Sequence, residues 1–189
     1  MGRRFSKTLG RKTHGNPQAN ISTLNEDEAL ALLDDINEVP FLLILDQVQD
    51  PRNLGACLRS ADAAGVNLVI MPSDRSAGLT DVVRHVAAGA AEVLPLARVR
   101  NLARFMKELN IRGIKIVGAS DQAKSTIFDS DLKGPIALVV GAEGTGIRRL
   151  TADNCDTLIN IPMGGTVECL NVSVATGVCL FEAFRQRRN

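Results

Sequence analysis

Residues 41–71 read FLLILDQVQDPRNLGACLRSADAAGVNLVIM, two apolar runs on either side of a stretch with helical character. The runs 41–45 and 66–71 consist mainly of Val, Ile and Leu, which is typical of strands buried on both faces of a sheet. The residues between them predict a helix over 54–64, with Asn53 as its N-cap and Gly65 at its C-terminal end. This strand, helix and strand predict a parallel sheet covered by helices.

The same alternation continues to the C-terminus and places the chain in the α/β class. We expect further strands at 92–96, 114–119, 136–140 and 157–161, and further helices at 79–88, 101–109, 147–153 and 172–187. With 189 residues, 45% of them hydrophobic, the chain has the size and apolar content of one globular domain.

Composition narrows the range of functions. Four cysteines without a CxxC pair and only two histidines argue against a zinc site of ordinary ligand spacing, and we expect no bound metal. No run reaches the roughly 18 apolar residues of a membrane span. The expected location is therefore the cytoplasm, with reduced thiols.

The N-terminal part of the chain consists of a basic segment followed by an acidic one. The first 20 residues carry five basic residues and no acidic ones, whereas residues 25–50 carry eight acidic residues and no basic ones. We predict an extension over 1–40, basic and then acidic, ahead of a domain over 41–189. The basic arm fits either a solvated chain end or a tail that contacts phosphates, and the sequence leaves both open.

Three stretches follow predicted strands, at the edge of a parallel sheet where ligands bind. They are 46–61 (DQVQDPRNLGACLRSA), 141–146 (GAEGTG) and 161–171 (IPMGGTVECLN). Residues 53–55 would offer free N–H groups at a helix start, and the glycines would allow a ligand to approach the backbone or supply a tight turn. GAEGTG is neither a dinucleotide fingerprint nor a Walker loop. Taken singly, each stretch also fits an ordinary capped turn.

Taken together, the three stretches carry a resemblance. The sequence NLGACLRSA, then GAEGTGIRRL with a following IPM, then LNVSVATGVCLFEAFRQRR resembles the three ordered motifs of the SpoU branch of the SPOUT methyltransferases. The match runs from residue 41 to residue 188 and looks closest to the bacterial 23S ribosomal RNA guanosine 2′-O-methyltransferases. It implies a parallel-sheet SPOUT fold with a C-terminal trefoil knot, and methyl transfer from S-adenosylmethionine to a ribose 2′-hydroxyl of structured RNA.

The resemblance also implies roles for single residues. Arg59 would activate the 2′-hydroxyl, Asn53 and Asn171 would orient groups in the site, and Glu143 would fix side chains of the first motif. The cofactor contacts would come from Gly141, Ile161, Met163, Cys169 and Leu170. The family works as a homodimer with the site completed across the interface, and the apolar residues of the last helix are compatible with that.

Two departures from the family pattern leave alternatives open. Cys169 stands where the family usually has serine, and a thiol is the weaker hydrogen-bond partner, so a catalytically silent RNA-binding protein is one alternative. Only about 40 residues precede the core, too few for the RNA-binding domain of close relatives. Three alternatives follow: the chain is a fragment, its target is a smaller RNA such as tRNA, or other basic residues replace the missing RNA-binding domain. In the last case RNA would be bound by the basic arm together with Arg148, Arg149, Arg185, Arg187 and Arg188.

Overall fold

The computed structural model describes residues 23–188. A helix precedes the first strand, and the rest of the chain alternates between strands and helices, with one short 3₁₀ turn at Ile127–Asp129. The elements are α1 (Glu26–Asp34), β1 (Phe41–Asp46), α2 (Pro51–Ala64), β2 (Leu68–Pro72), α3 (Asp81–Ala87), α4 (Ala90–Val93), β3 (Leu96–Val99), α5 (Leu102–Ile111), β4 (Lys115–Ala119), β5 (Ser125–Thr126), β6 (Ile136–Gly141), α6 (Arg149–Ala152), β7 (Thr157–Asn160) and α7 (Val172–Arg187).

The described strands form one parallel sheet of seven strands in the order β3-β2-β1-β6-β4-β7-β5. Strand β1 lies near the centre, and all six of its residues are buried. Its side chains alternate between two cores: Leu43 and Leu45 belong to the core with α2, α3 and α7, and Leu42 and Ile44 to the core with α1 and α5. Helices on both faces explain why these strands are apolar throughout. The predicted α/β class with a parallel sheet is confirmed.

The strand predicted at 92–96 is wrong. Residues 90–93 form helix α4, and the strand begins only at Leu96. Gly89, with φ of 95°, turns the chain into this helix, and the small side chains of Ala90 and Ala91 are buried against the core. Pro95 then blocks an earlier strand start because it has no N–H for the ladder.

Helix α2 begins earlier than predicted. Its N-cap is Asp50, whose carboxylate accepts a hydrogen bond from the backbone N–H of Arg52 at 2.7 Å, and Pro51 occupies the first helical position. Asn53 is therefore not the N-cap but the third residue of the helix. The predicted end is confirmed, since Gly65 adopts the left-handed conformation with φ of 77°.

The acidic segment contains a helix that its charge pattern alone did not predict. Asn25 and Glu28 form a capping box at the start of α1, and Ala29 and Leu33 are buried against the sheet. The N–H of Leu24 donates to the carbonyl of Leu96 at 2.8 Å, which joins this segment to β3. The basic arm lies outside the described residues, and the division of the chain at residue 40 stays a prediction. Across 23–188, no helix is long and apolar enough to cross a membrane.

Candidate functional site

Side chains from the three sequence stretches meet at one point beyond the carboxyl ends of the strands. The amide nitrogen Nδ2 of Asn171 donates to Oδ1 of Asn53 at 3.1 Å and also to Oε1 of Glu143. These residues are 118 and 28 positions away from Asn171 in the sequence, respectively. We call this cluster of Asn53, Glu143 and Asn171 the polar triangle.

Asn171 is held from both ends of its amide group. Its Oδ1 accepts from the backbone N–H of Ser173 at 2.9 Å and from the Ser173 hydroxyl at 2.6 Å. Asn171 is thereby the N-cap of α7. Because the oxygen is used by the cap, the nitrogen must point away from the helix, toward Asn53 and Glu143.

The second stretch folds back tightly on itself. A Cβ on Gly141 would lie 2.0–2.2 Å from backbone atoms of Gly146 and Ile147, so only glycine fits there. The N–H of Gly146 donates to the carbonyl of Ala142 at 2.9 Å, and Gly144 and Gly146 have φ of 76° and 64°. The glycine at 141 thus serves the loop's own backbone, in line with the tight turn that was one of the two alternatives from the sequence. Its contact with a cofactor stays a prediction. The turn leaves Glu143 exposed at its tip.

A buried carboxylate that sequence reasoning missed lies beside this loop. Asp46, the last residue of β1, is 0% exposed and pairs in register with Gly141 of β6. Its oxygens accept from the backbone N–H of Arg148 at 3.0 Å and from Nε of the same arginine at 2.8 Å. The signal in the sequence was an acidic residue at the end of an otherwise wholly apolar strand.

The third stretch is open to solvent. Residues 162–169 are exposed, and within 23–188 no hydrogen bond uses the backbone of 162–170. At Gly164 and Gly165 a Cβ would meet nothing within 4 Å, and neither residue has positive φ. Neither packing nor backbone conformation in the described chain thus requires glycine at these two positions. Because glycine has no side chain, the backbone here is accessible to a bound molecule.

Five residues were expected to contact a cofactor, and four of them belong to this stretch. Ile161 is half-buried and packs against the core, and Leu170 is also half-buried. Met163 is 39% exposed and Cys169 is exposed. Apolar side chains beside free backbone donors and acceptors fit a nucleoside such as the adenosyl group of S-adenosylmethionine, which needs an apolar surface and a few polar contacts.

Arg59 forms no hydrogen bond with the polar triangle in the part of the chain that the structure describes. It follows Asn53 by six positions on α2, about 120° away around the helix. The side chain is exposed, and it makes no hydrogen bond or salt bridge with any other residue in the described part. Its guanidinium group is thus available to something outside this part of the chain.

The sequence model of the SpoU rRNA Methylase family matches residues 40–181. The chain belongs to this family. Relatives named 23S rRNA (guanosine-2′-O-)-methyltransferase RlmB are 60% identical over 164 residues in Ralstonia nicotianae and 55% identical over 191 residues in Vibrio parahaemolyticus. These alignments cover 87% and 96% of this chain, and 65% and 76% of the two relatives. The chain therefore spans just under two thirds of the length of the Ralstonia protein.

Solved structures of SpoU proteins share the fold. The SpoU methyltransferase AviRb from Streptomyces viridochromogenes, crystallised in complex with the cofactor AdoMet, aligns with a TM-score of 0.75 at 28% identity. The alignment covers 80% of this chain and 62% of AviRb. The AdoMet-bound rRNA methyltransferase from Sinorhizobium meliloti also gives 0.75, at 30% identity over 82% of this chain and 59% of that one. The trefoil knot implied by the family stays a prediction.

Most thiols of this SpoU chain are unsuited to nucleophilic chemistry. Burial raises the pKa of Cys155 and of Cys179 to about 12. Burial likewise raises the pKa of Cys57 to about 11, against the lowering effect of a hydrogen bond with Thr176. These three thiols stay protonated near neutral pH. Within 23–188 there is also no group of three or more His, Cys, Asp or Glu residues able to hold a metal ion.

The arginines expected to help bind RNA differ in availability. Arg148 is engaged by Asp46, and Arg187 donates to the carbonyl of Val39 at 2.7 Å and to that of Gly134, so both guanidinium groups are occupied within the chain. Arg185 forms hydrogen bonds with Glu182 at 2.8 and 2.9 Å while remaining exposed. Two further arginines remain accessible to RNA. Arg149 is 95% exposed, and the guanidinium of Arg188 lies 5.3 Å from the Phe184 ring centroid.

Proposed function

We propose that this chain carries an S-adenosylmethionine-dependent methyltransferase that modifies the ribose 2′-hydroxyl of a guanosine in 23S ribosomal RNA. The polar triangle is the observation that carries the proposal, because it joins all three family motifs beside an accessible loop. Relatives at about 60% identity bear that activity in their names, and similar SpoU structures were crystallised with AdoMet. Ribosomal RNA is the preferred substrate over tRNA on the same ground, and the cytoplasm is the corresponding location.

The third stretch supplies the cofactor site. Ile161 and Leu170 offer apolar surface to the adenosyl group, and the free backbone of 162–170 offers hydrogen bonds. Met163 and Cys169 form the rim, and Gly141 holds the neighbouring loop in place. When bound, S-adenosylmethionine supplies a methyl group on a positively charged sulfur, which makes that methyl electrophilic. The chain's own tasks are then positioning and management of charge.

Arg59 acts on the ribose hydroxyl. An arginine is a poor base because its pKa lies above about 12, so Arg59 stabilises the negative charge that develops on the oxygen. An RNA phosphate next to the target ribose would be its second partner. The exposed position of Arg59 suits a group that meets its partner only when RNA binds.

A homodimer brings Arg59 to the rest of the site. Within one chain it lies on a different side of α2 from Asn53, so the arginine of one subunit would serve the polar triangle of the other. Helix α7 carries exposed apolar side chains suited to such an interface, with Val174 50% and Phe181 46% exposed. RNA would contact exposed arginines such as Arg149 and the basic arm.

Binding and turnover experiments test this proposal. Calorimetric titration should show that the chain binds S-adenosylmethionine and S-adenosylhomocysteine but not ATP or NAD. The variant Arg59→Ala should keep this affinity and lose most turnover with 23S ribosomal RNA, while tRNA should accept little methyl from either protein. Equal loss of cofactor affinity and turnover would contradict the role of Arg59. If the protein binds cofactor without turnover and Cys169→Ser restores it, the chain is a silent RNA-binding protein.

A further inference from the structure

Asp46 places a negative charge in the interior without exposing any of its surface. Beyond the two hydrogen bonds given above, Nη2 of Arg148 also lies 2.6 Å from Oδ1 of this carboxylate. One oxygen therefore receives the guanidinium group and the other receives the backbone N–H of the same residue. The partners are 102 positions apart, so the pair joins two distant parts of the chain.

This pair closes one end of the loop that carries Glu143. The loop leaves β6 at Gly141, directly beside Asp46 in the sheet, and Arg148 brings it back to the same carboxylate. The Ala142–Gly146 hydrogen bond closes the loop from within. The backbone from 141 to 148 is thus fixed at both ends, and Glu143 projects from it toward Asn171.

Core stability alone gives no reason for a charge at this position. A buried ion pair is often replaced by apolar residues without loss of stability, because the desolvation of the carboxylate offsets most of the attraction. A hydrogen-bonded pair with fixed geometry does, however, select one arrangement of the two segments. Asp46 accepts from the backbone N–H, Nε and Nη2 of Arg148, whereas an apolar residue at this position would accept from none of them.

We propose that Asp46 is a positioning residue for cofactor binding: through Arg148 it holds loop 141–148 so that Glu143 reaches Asn171. This inference rests on the proposed function for its ligand. Asp46 does not touch the reacting groups. It acts on the polar triangle through the loop that follows the neighbouring strand β6.

The variant Asp46→Asn tests the proposal. Asparagine keeps the size but removes the charge and turns an amide N–H₂ toward the donors of Arg148. We expect the Kd for S-adenosylhomocysteine to rise about tenfold or more, because a loop that is no longer held in place must be ordered when the ligand binds. Without any ligand, amide exchange in 141–148 should also become about tenfold faster. The matched control is Asp153→Asn, which removes only the exposed pair with Arg149 and should change neither quantity.

A second variant covers the case in which Asp46→Asn does not fold. Arg148→Gln keeps the backbone bond to Asp46 and removes the guanidinium, and it should raise the same Kd. Combination of either variant with Glu143→Gln provides the decisive readout, since a residue that acts through Glu143 should add less than about twofold once Glu143 is changed. Additive effects, or unchanged affinity and exchange in folded variants, would overturn the proposal. If the wild-type protein binds no S-adenosylhomocysteine, the proposed function fails, and the exchange measurement still tests the loop.

Discussion

Asn171 makes two separate sets of hydrogen bonds, and different substitutions remove one set or both. As N-cap of α7 it accepts from Ser173, and as part of the polar triangle it donates to Asn53 and Glu143. Asn171→Ala removes both functions. Asn171→Ser keeps a hydroxyl that can cap the helix but has no amide to reach Asn53 and Glu143 together.

The expected loss of stability follows from these contacts. Loss of an N-cap costs about 1 kcal/mol. The exposed hydrogen bond to Glu143 adds less than about 1 kcal/mol. A total of about 1–2 kcal/mol lowers Tm by about 2–8 °C in a chain of this size. The serine variant keeps the cap and loses only the bonds to Asn53 and Glu143, so its Tm should fall by less than about 4 °C.

The two Asn171 variants should differ in Tm but lose activity to the same extent. Both variants lose the amide that orients Glu143, so kcat/KM with RNA should fall about 10- to 100-fold in each, which corresponds to about 1.4–2.8 kcal/mol. The assay is methyl incorporation at a temperature where all variants are folded, with Tm measured by circular dichroism. Asn101→Ala is the matched control, because it removes the cap of α5 alone and should lose stability without losing activity. Wild-type kcat/KM in Asn171→Ser would show that catalysis does not need the amide of Asn171.

Four further predictions concern packing, pH and thiol reactivity. Gly55→Ala should destabilise the fold by about 1–3 kcal/mol in urea unfolding, because its Cβ would lie 2.8 Å from Val83 and Val86. Gly177→Ala meets only a 3.8 Å contact and should stabilise α7 by about 0.5–1 kcal/mol. Hydrogen bonds from Arg185 lower the pKa of Glu182 from 4.5 to about 2, so its stabilising effect is full above pH 4.5 and is lost as the pH falls toward 2. Unfolding midpoints of Glu182→Gln should consequently vary less with pH over this range than those of the wild type. Iodoacetamide at pH 8 should modify exposed Cys169 before the other cysteines, and S-adenosylhomocysteine should slow that reaction, as mass spectrometry would show.

The sheet was largely predictable because it depends on continuous apolar runs. Strand β1 and its neighbour β6 are buried on both faces, and strands of this kind can be predicted from their continuous runs of Val, Ile and Leu. Gly65 and Asn171 were predictable as helix ends because capping is a local property. The start of α2 was missed although Asp50 before Pro51 is the stronger local signal, since proline favours the first helical position.

The rest depended on contacts between distant residues. No local pattern links Asp46 to Arg148, and only the pairing of β1 with β6 brings them together. The same holds for the polar triangle: the motifs indicated which residues to expect in one site, but not that Asn171 would join the other two. The position of Arg59 away from that triangle depends on its rotation around α2, which the sequence motif does not express.

Identification of the methylated nucleoside would test the proposed 2′-O-methylation of guanosine. Unmethylated 23S ribosomal RNA would be incubated with the chain and isotopically labelled S-adenosylmethionine, then digested to nucleosides and analysed by mass spectrometry. We expect label in 2′-O-methylguanosine, with the signal lost in Arg59→Ala. Label on a base, or no label from a protein that binds the cofactor, would contradict it.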